Sequence, residues 1–165
     1  VAGGKVRVSA GILLYRRVAG GSIELLLAHP GGPWDAHREM GVWSIPKGEA
    51  ETGEELAAVA RREFAEETGH PAPETLIPLG EIVQRGGKVV LGWAAEGDLD
   101  PAAATSNLCE IEWPPGTGKR ILIPEIDRVA WFAPAEARLR LKDRQVPFID
   151  RLELHLATEH ARPEG

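Results

Sequence analysis

The chain has 165 residues, enough to bury its own core, and is expected to form one domain over residues 1–165. Apolar residues make up 43% and charged residues 27%, which excludes a disordered chain, and no apolar run approaches the length of a membrane span. A net charge of −6 argues against nucleic-acid polymers as partners, and a single cysteine, Cys109, excludes an internal disulfide and fits a reducing, cytoplasmic setting.

The opening Val1-Ala2-Gly3-Gly4-Lys5 lacks the pattern of a secretory signal and reads as a trimmed or engineered end. Lys5 to Arg17 carries Val6, Val8, Ile12 and Leu14 and predicts a strand, bent or broken near Gly11. Ile23 to Ala28 follows the Ala19-Gly20-Gly21-Ser22 turn and closes a hairpin. His29 to Gly41 predicts a Gly/Pro-rich loop bearing Trp34, with His29 and His37 read as exposed. A short strand is expected over Val42–Ile45, ended by Pro46.

Thr52 and Glu55 form a T-x-x-E capping box, which predicts a helix from Gly53 to Thr68. Gly69, with Pro71 beyond it, predicts a left-handed stop. Strands follow over Leu76–Gln84 and Lys88–Ala95, joined by Arg85-Gly86-Gly87, then over Asn107–Trp113 and Arg128–Phe132. Trp93, Trp113 and Trp131 are expected in the core or a pocket wall, and Cys109 as a small buried side chain. Phe148, Leu152 and Leu156 recur every fourth residue and predict a packing helix over Pro147–Glu159. Mixed strands with a central and a terminal helix predict an α/β sandwich.

The Gly53–Thr68 helix carries the chemistry. With Leu56 at the origin of a helical wheel, Glu67 falls at about 20°, Glu63 at about 340° and Glu66 at about 280°. Ala60 and Phe64 lie at about 40° and 80°, so the carboxylates overlap the apolar stripe, while Arg61 takes the outer face. Carboxylates turned toward the body of a protein repel one another and lose hydration. A divalent cation is the simplest remedy, because Mg²⁺ accepts one or two carboxylates plus phosphate oxygens and water.

Gly48 to Gly69 resembles the Nudix box, G-x5-E-x7-R-E-U-x-E-E-x-G-U with U a bulky apolar residue. Gly48, Glu54, Arg62, Glu63, Phe64, Glu66, Glu67 and Gly69 all fall in register, and His70 alone departs, where an aliphatic residue is usual. The resemblance runs from Val6 to Phe132 in strand order and implies an α/β/α sandwich with a mixed sheet and a loop-helix-loop box. It implies hydrolysis of a nucleoside diphosphate linked to a group X, with Mg²⁺ or Mn²⁺ as cofactor and a small nucleotide as substrate. By position, Glu63, Glu66 and Glu67 resemble the metal-binding carboxylates and the Gly48 carbonyl the backbone ligand. Arg62 resembles the residue that orients a box glutamate, with Glu54 as its distal partner. Glu63 is one candidate general base. A late-loop glutamate is the other, with Glu125 preferred over Glu110 or Glu112.

Two flanking features bear on X. Many family members acting on triphosphates or ADP-sugars have a second glycine where Lys47 stands. Pro46-Lys47-Gly48 instead resembles the entrance of dinucleoside-polyphosphate and diphosphoinositol-polyphosphate hydrolases, where a lysine ammonium would bind an extra phosphate. Trp34 is either a face for a nucleobase or a loop anchor. The expected function is therefore pyrophosphohydrolysis leaning to diadenosine tetraphosphate, with a MutT-type triphosphate hydrolase or a non-catalytic nucleotide sensor as alternatives.

Overall fold

The computed structural model describes residues 5–163, so Val1 to Gly4 of the expected trimmed end lie outside the described residues. The ten-residue β1 (Val8–Arg17) pairs antiparallel with β2 (Ile23–Pro30) through Tyr15, Arg16 and Arg17 across the expected glycine turn. Two further strands, β4 (Ile77–Val83) and β5 (Val89–Glu96), and a late one, β8 (Ile126–Phe132), complete the main sheet in the order β4-β5-β1-β2-β8. Its β1–β5 pairing is parallel, whereas β4–β5, β1–β2 and β2–β8 are antiparallel. A separate hairpin joins β6 (Leu108–Glu112) to β7 (Arg120–Pro124).

Helices cover both faces of the sheet. The run Ile12-Leu13-Leu14-Tyr15 in β1 is buried throughout because its alternate residues serve two cores. Ala10, Ile12 and Leu14 pack with Val59, Ala60 and Phe64 of α1 (Leu56–Thr68). Leu13 and Tyr15 pack with Phe148, Ile149 and Leu152 of α3 (Val146–His160) and with Ala137 of α2 (Pro134–Arg140). This is the expected α/β/α sandwich.

Several elements differ from expectation. Gly11 does not break β1. It sits inside the strand, where a Cβ would come within 2.6 Å of the Pro46 carbonyl oxygen and of Lys47 Cβ, so its smallness admits β3 (Lys47–Glu49) against β1. The third strand is thus Lys47–Glu49 and not Val42–Ile45. Val42–Ile45 makes only isolated bridges, Ser44 to Ala28 and Trp43 to Leu141, while Val42, Trp43 and Ile45 are buried.

Helix α1 starts later than predicted, with Glu55 as its N-cap and no side-chain cap bond. Thr52 instead accepts a bond from the Lys5 ammonium, and Glu54 Oε1 accepts from the Glu51 N–H at 2.8 Å. Gly69 stops the helix as expected at φ 75°, its N–H donating to the Ala65 carbonyl.

One buried amide ties three segments together. Gln145 accepts from the Ile45 N–H at 3.0 Å and donates through Nε2 to Ser44 Oγ at 3.0 Å and Gln84 Oε1 at 2.9 Å. It closes a tight 3-10 turn, Asp143–Gln145, that leads into α3.

Candidate active site

The carboxylate face predicted for α1 is present, graded in depth. Glu67 is only 5% exposed, the Glu63 side chain 13% and the Glu66 side chain 42%. The wheel therefore places Glu63 and Glu67 correctly, but it overstates the inward turn of Glu66. Arg61 is not on a free outer face. It is half-buried, its guanidinium donating to the Pro73 and Glu74 carbonyls.

Strand β3 passes directly beneath these side chains. The Lys47 N–H donates to Glu67 Oε2 at 3.0 Å. A Cβ on Gly48 would overlap the Glu63 carboxyl group, so the absence of a side chain there creates the space that Glu63 fills. Burial pushes the Glu67 carboxyl up to about 8, with Glu125 and Glu63 adding repulsion against the opposing Lys47 N–H bond. Burial and the neighbouring Glu66 also raise Glu63, against the pull of Arg62.

Arg62 holds this edge in place. Its guanidinium is bonded to Glu54, lies 3.6 Å from Glu63 Oε1 and reaches 3.9 Å from Glu66 Oε1. The Arg62 hydrogen bond in turn holds the Glu54 carboxyl below its usual range. An Arg62→Ala variant should lower kcat about 10-fold to 100-fold with KM nearly unchanged, because Glu63 loses its orientation while the phosphate contacts persist. Steady-state kinetics check this, and a pure KM effect would place Arg62 on the substrate.

Of the three α1 carboxylates, Glu67 opens into a cleft of about 360 Å³, whose lining includes Lys47, Gly48, Lys88, Glu125 and Lys142. Arg7 and Glu49 complete one wall, joined by a 2.7 Å ion pair. Lys47 is desolvated and lies near Lys88 and Lys142, which together bring its ammonium down to about 8. Burial likewise lowers Lys88. Four cations and several carboxylates thus share one concavity, a composition suited to a metal and to phosphate oxygens.

Glu125 lies in the link between β7 and β8, its backbone fixed by bonds to Asn107 and Gly31, both 2.9 Å. Glu110 is instead ion-paired with Arg120 at 3.2 Å, and Glu112 accepts from the Gly118 N–H at 3.0 Å. Trp34 is 56% exposed and meets Trp113 edge to face at 5.1 Å between centroids. It does not line the cleft, although Pro30, at the start of its loop, does. His29 is not an exposed loop residue. It is fully buried at the end of β2, bonded to Asp127 Oδ1 at 2.9 Å and to the Arg38 carbonyl at 2.7 Å. His37 is exposed, and Cys109 is half-buried rather than buried.

Sequence reasoning missed Arg7, Lys88 and Lys142. Arg7 and Lys88 come together because Val8 pairs with Val89 in the parallel β1–β5 ladder, a juxtaposition with no local signal. Lys142 arrives from the far end of the chain, its N–H donating to the Trp43 carbonyl at 2.8 Å.

The chain matches the NUDIX domain family over residues 5–152. Among solved structures it is similar to the C. elegans Ap4A hydrolase in a binary complex, at TM-score 0.62 and 23% identity, covering 91% of this chain and 98% of that one. It is also similar to the NUDIX domain of Shewanella oneidensis NrtR complexed with ADP ribose, at TM-score 0.66 and 16% identity, covering 94% of this chain and 91% of that one. A Nudix hydrolase from M. smegmatis, RenU, gives TM-score 0.56 and 21% identity over 91% of this chain and 86% of that one. No curated protein matches. At these identities the structural likeness is one of fold. The family match, running from the approach to β1 into α3, means that the chain belongs to the Nudix family and is a pyrophosphohydrolase of nucleoside diphosphate derivatives.

Proposed function

We propose that the chain cleaves the diphosphate of a dinucleoside polyphosphate, with diadenosine tetraphosphate as the type of substrate. The observation that carries this reading is the cleft itself, where the buried Glu67 of α1 and the late-loop Glu125 share one concavity with Lys47, Lys88, Lys142 and Arg7. Carboxylates alone would repel a phosphate chain, and cations alone would not activate water.

Family members generally use a divalent metal ion, and Mg²⁺ or Mn²⁺ suits the donors present. Glu67 has one oxygen committed to the Lys47 N–H, Glu63 fills the space over Gly48, and Glu66 stands at the rim. Among the described residues no three acidic, histidine or cysteine side chains are gathered around one point. Glu63, Glu66, Glu67 and the Gly48 carbonyl are the donors that would hold the ion, with its other positions left to phosphate oxygens and water. When bound, such an ion neutralises phosphate charge and lowers the pKa of water at the site.

The chain's own residues do the rest. Glu125, exposed on the cleft wall, accepts the proton of the attacking water, and Glu63 is the other group able to do so. Arg62 keeps Glu63 oriented, and the lysines hold non-bridging phosphate oxygens in line. Trp34, exposed in the loop that begins at Pro30, offers its face to a nucleobase. Nucleotide products separated by chromatography, with Mg²⁺ omitted and restored, test the reading across diadenosine tetraphosphate, ADP-ribose and canonical and oxidised triphosphates. Highest kcat/KM for the tetraphosphate is the expected outcome, and a preference for triphosphates would overturn the substrate.

Lys47 links this reading to pH. Its ammonium is charged below about 8 and neutral above, so kcat/KM for the tetraphosphate should decline as pH rises through that value. Lys47→Ala should cost the tetraphosphate about tenfold and ADP-ribose distinctly less, and should remove the alkaline decline. Equal losses on both substrates would make Lys47 a support of the loop.

A further inference from the structure

The cationic character of the cleft does not stop at Lys142. The same side chain walls a second depression of about 370 Å³, shared with Arg38, Gln84, Arg85, Asp143 and Arg144. Asp143 is the acid in that lining, and Arg85 neutralises it at 2.6 Å. Arg38 is balanced by Asp35 at 3.1 Å. Lys142 and Arg144 have no ion-pair partner among the described residues. A further groove is lined by Lys5, Arg7, Arg85 and Lys88, but there Arg7 and Lys88 are answered by Glu49 and Arg85 by Asp143, so the free charge lies with Lys142 and Arg144. In a chain of net charge −6, two unpaired cations side by side on one depression, next to the cleft, form a local site for an anion.

The depression is also built on fixed backbone. Gln145, fully buried, anchors the turn that presents Lys142 and Arg144, and its bond to Gln84 at 2.9 Å fixes the opposite wall. The Gln145 N–H returns to the Lys142 carbonyl at 2.9 Å, closing the turn. Cations held on a rigid turn lose little freedom when an anion arrives, which favours binding.

We propose that this basic depression is a subsite for phosphates distal to the bond cleaved, so that the group X is itself a polyanion. The proposal rests on reading the cleft as the diphosphate site and deepens it. Two sources share the required chemistry: the far phosphates of a dinucleoside polyphosphate, and the phosphorylated ring of a diphosphoinositol polyphosphate. Lys142 is the common wall across which either would pass.

Arg144 touches the depression but not the cleft, so it separates the two sites. Arg144→Glu should lower kcat/KM for the polyanionic substrate about tenfold at low ionic strength and leave ADP-ribose within about twofold. Arg144→Lys should restore most of the loss. Diadenosine tetraphosphate and a diphosphoinositol polyphosphate are assayed side by side, and the one that suffers identifies the source. Independently of turnover, inorganic tripolyphosphate titrated into the metal-free protein should bind about tenfold more weakly to Arg144→Glu. Equal losses on ADP-ribose, or unchanged tripolyphosphate affinity, would overturn the subsite while the cleft reading stood. If no diphosphate is hydrolysed, the cleft reading and the distal subsite built on it both fall, and tripolyphosphate binding that still depends on Arg144 leaves only a polyphosphate-binding depression.

Discussion

Replacing Glu67 by glutamine should abolish turnover and, in metal-free protein at alkaline pH, raise the melting temperature. Glu67 is the most deeply placed carboxylate of α1, and its loss should lower kcat about 1000-fold, the scale of removing one well-placed electrostatic group. The stability effect has the opposite sign because the folded protein raises this carboxyl from 4.5 to about 8. Below about pH 4.5 both folded and unfolded chains hold the proton, and no penalty exists. Between those values the folded state binds more protons, so stability falls as pH rises, and above about 8 the full penalty is present. Glutamine removes that slope while its carbonyl still accepts from the Lys47 N–H. In chelator at alkaline pH the variant should melt about 5–10 °C higher, and near pH 5 the two should nearly coincide. Mg²⁺ should stabilise the parent protein much more than the variant and should release protons on binding. Identical melting curves in chelator at all pH values would remove the buried charge from the account.

Gly48→Ala should cost nearly as much activity for a purely steric reason. The added methyl group would occupy the volume of the Glu63 carboxyl, and β3 cannot retreat because Ala10 pairs with Gly48 across the sheet. Glu63 must therefore swing out of the site, and kcat should fall about 100-fold or more. Overpacking should also destabilise the fold by about 1–3 kcal/mol. A double variant separates the causes. Adding Glu63→Ala to Gly48→Ala empties the contested space and should restore the melting temperature without restoring turnover. If it does not, the conflict lies with the backbone rather than with Glu63.

The parts of this site visible in the sequence are those written with helical periodicity. Glu63 and Glu67 share a face with Leu56 and Phe64, and Gly69 marks the stop, so both the helix and its inward carboxylates could be read directly. The start of the helix could not, because Lys5, 47 positions away, takes Thr52 out of the expected box, and Glu54, bound to the Glu51 N–H and to Arg62, holds the approach instead. Val42, Trp43 and Ile45 look like a strand because they are apolar, yet their burial comes from crossing between β2 and Leu141. Strand β7 was missed because Ile121 and Leu122 are exposed on a two-stranded hairpin and Pro124 ends it. Helix α2 has only seven residues, too short to show a period. The cations of the cleft are the deepest omission, since a parallel β1–β5 ladder joins residues some eighty positions apart.

The Gln145 amide makes the last part of the chain a condition for the first. Replacing Gln145 by leucine would leave the Ile45 N–H without its acceptor beneath the sheet, a loss of about 1–3 kcal/mol for an unsatisfied buried donor. Ile45 stands two residues before Lys47, whose own N–H holds Glu67. The box helix would keep every one of its carboxylates, but the strand that aligns them would lose its tether, so the minimal catalytic unit extends well past the motif by which the family is recognised.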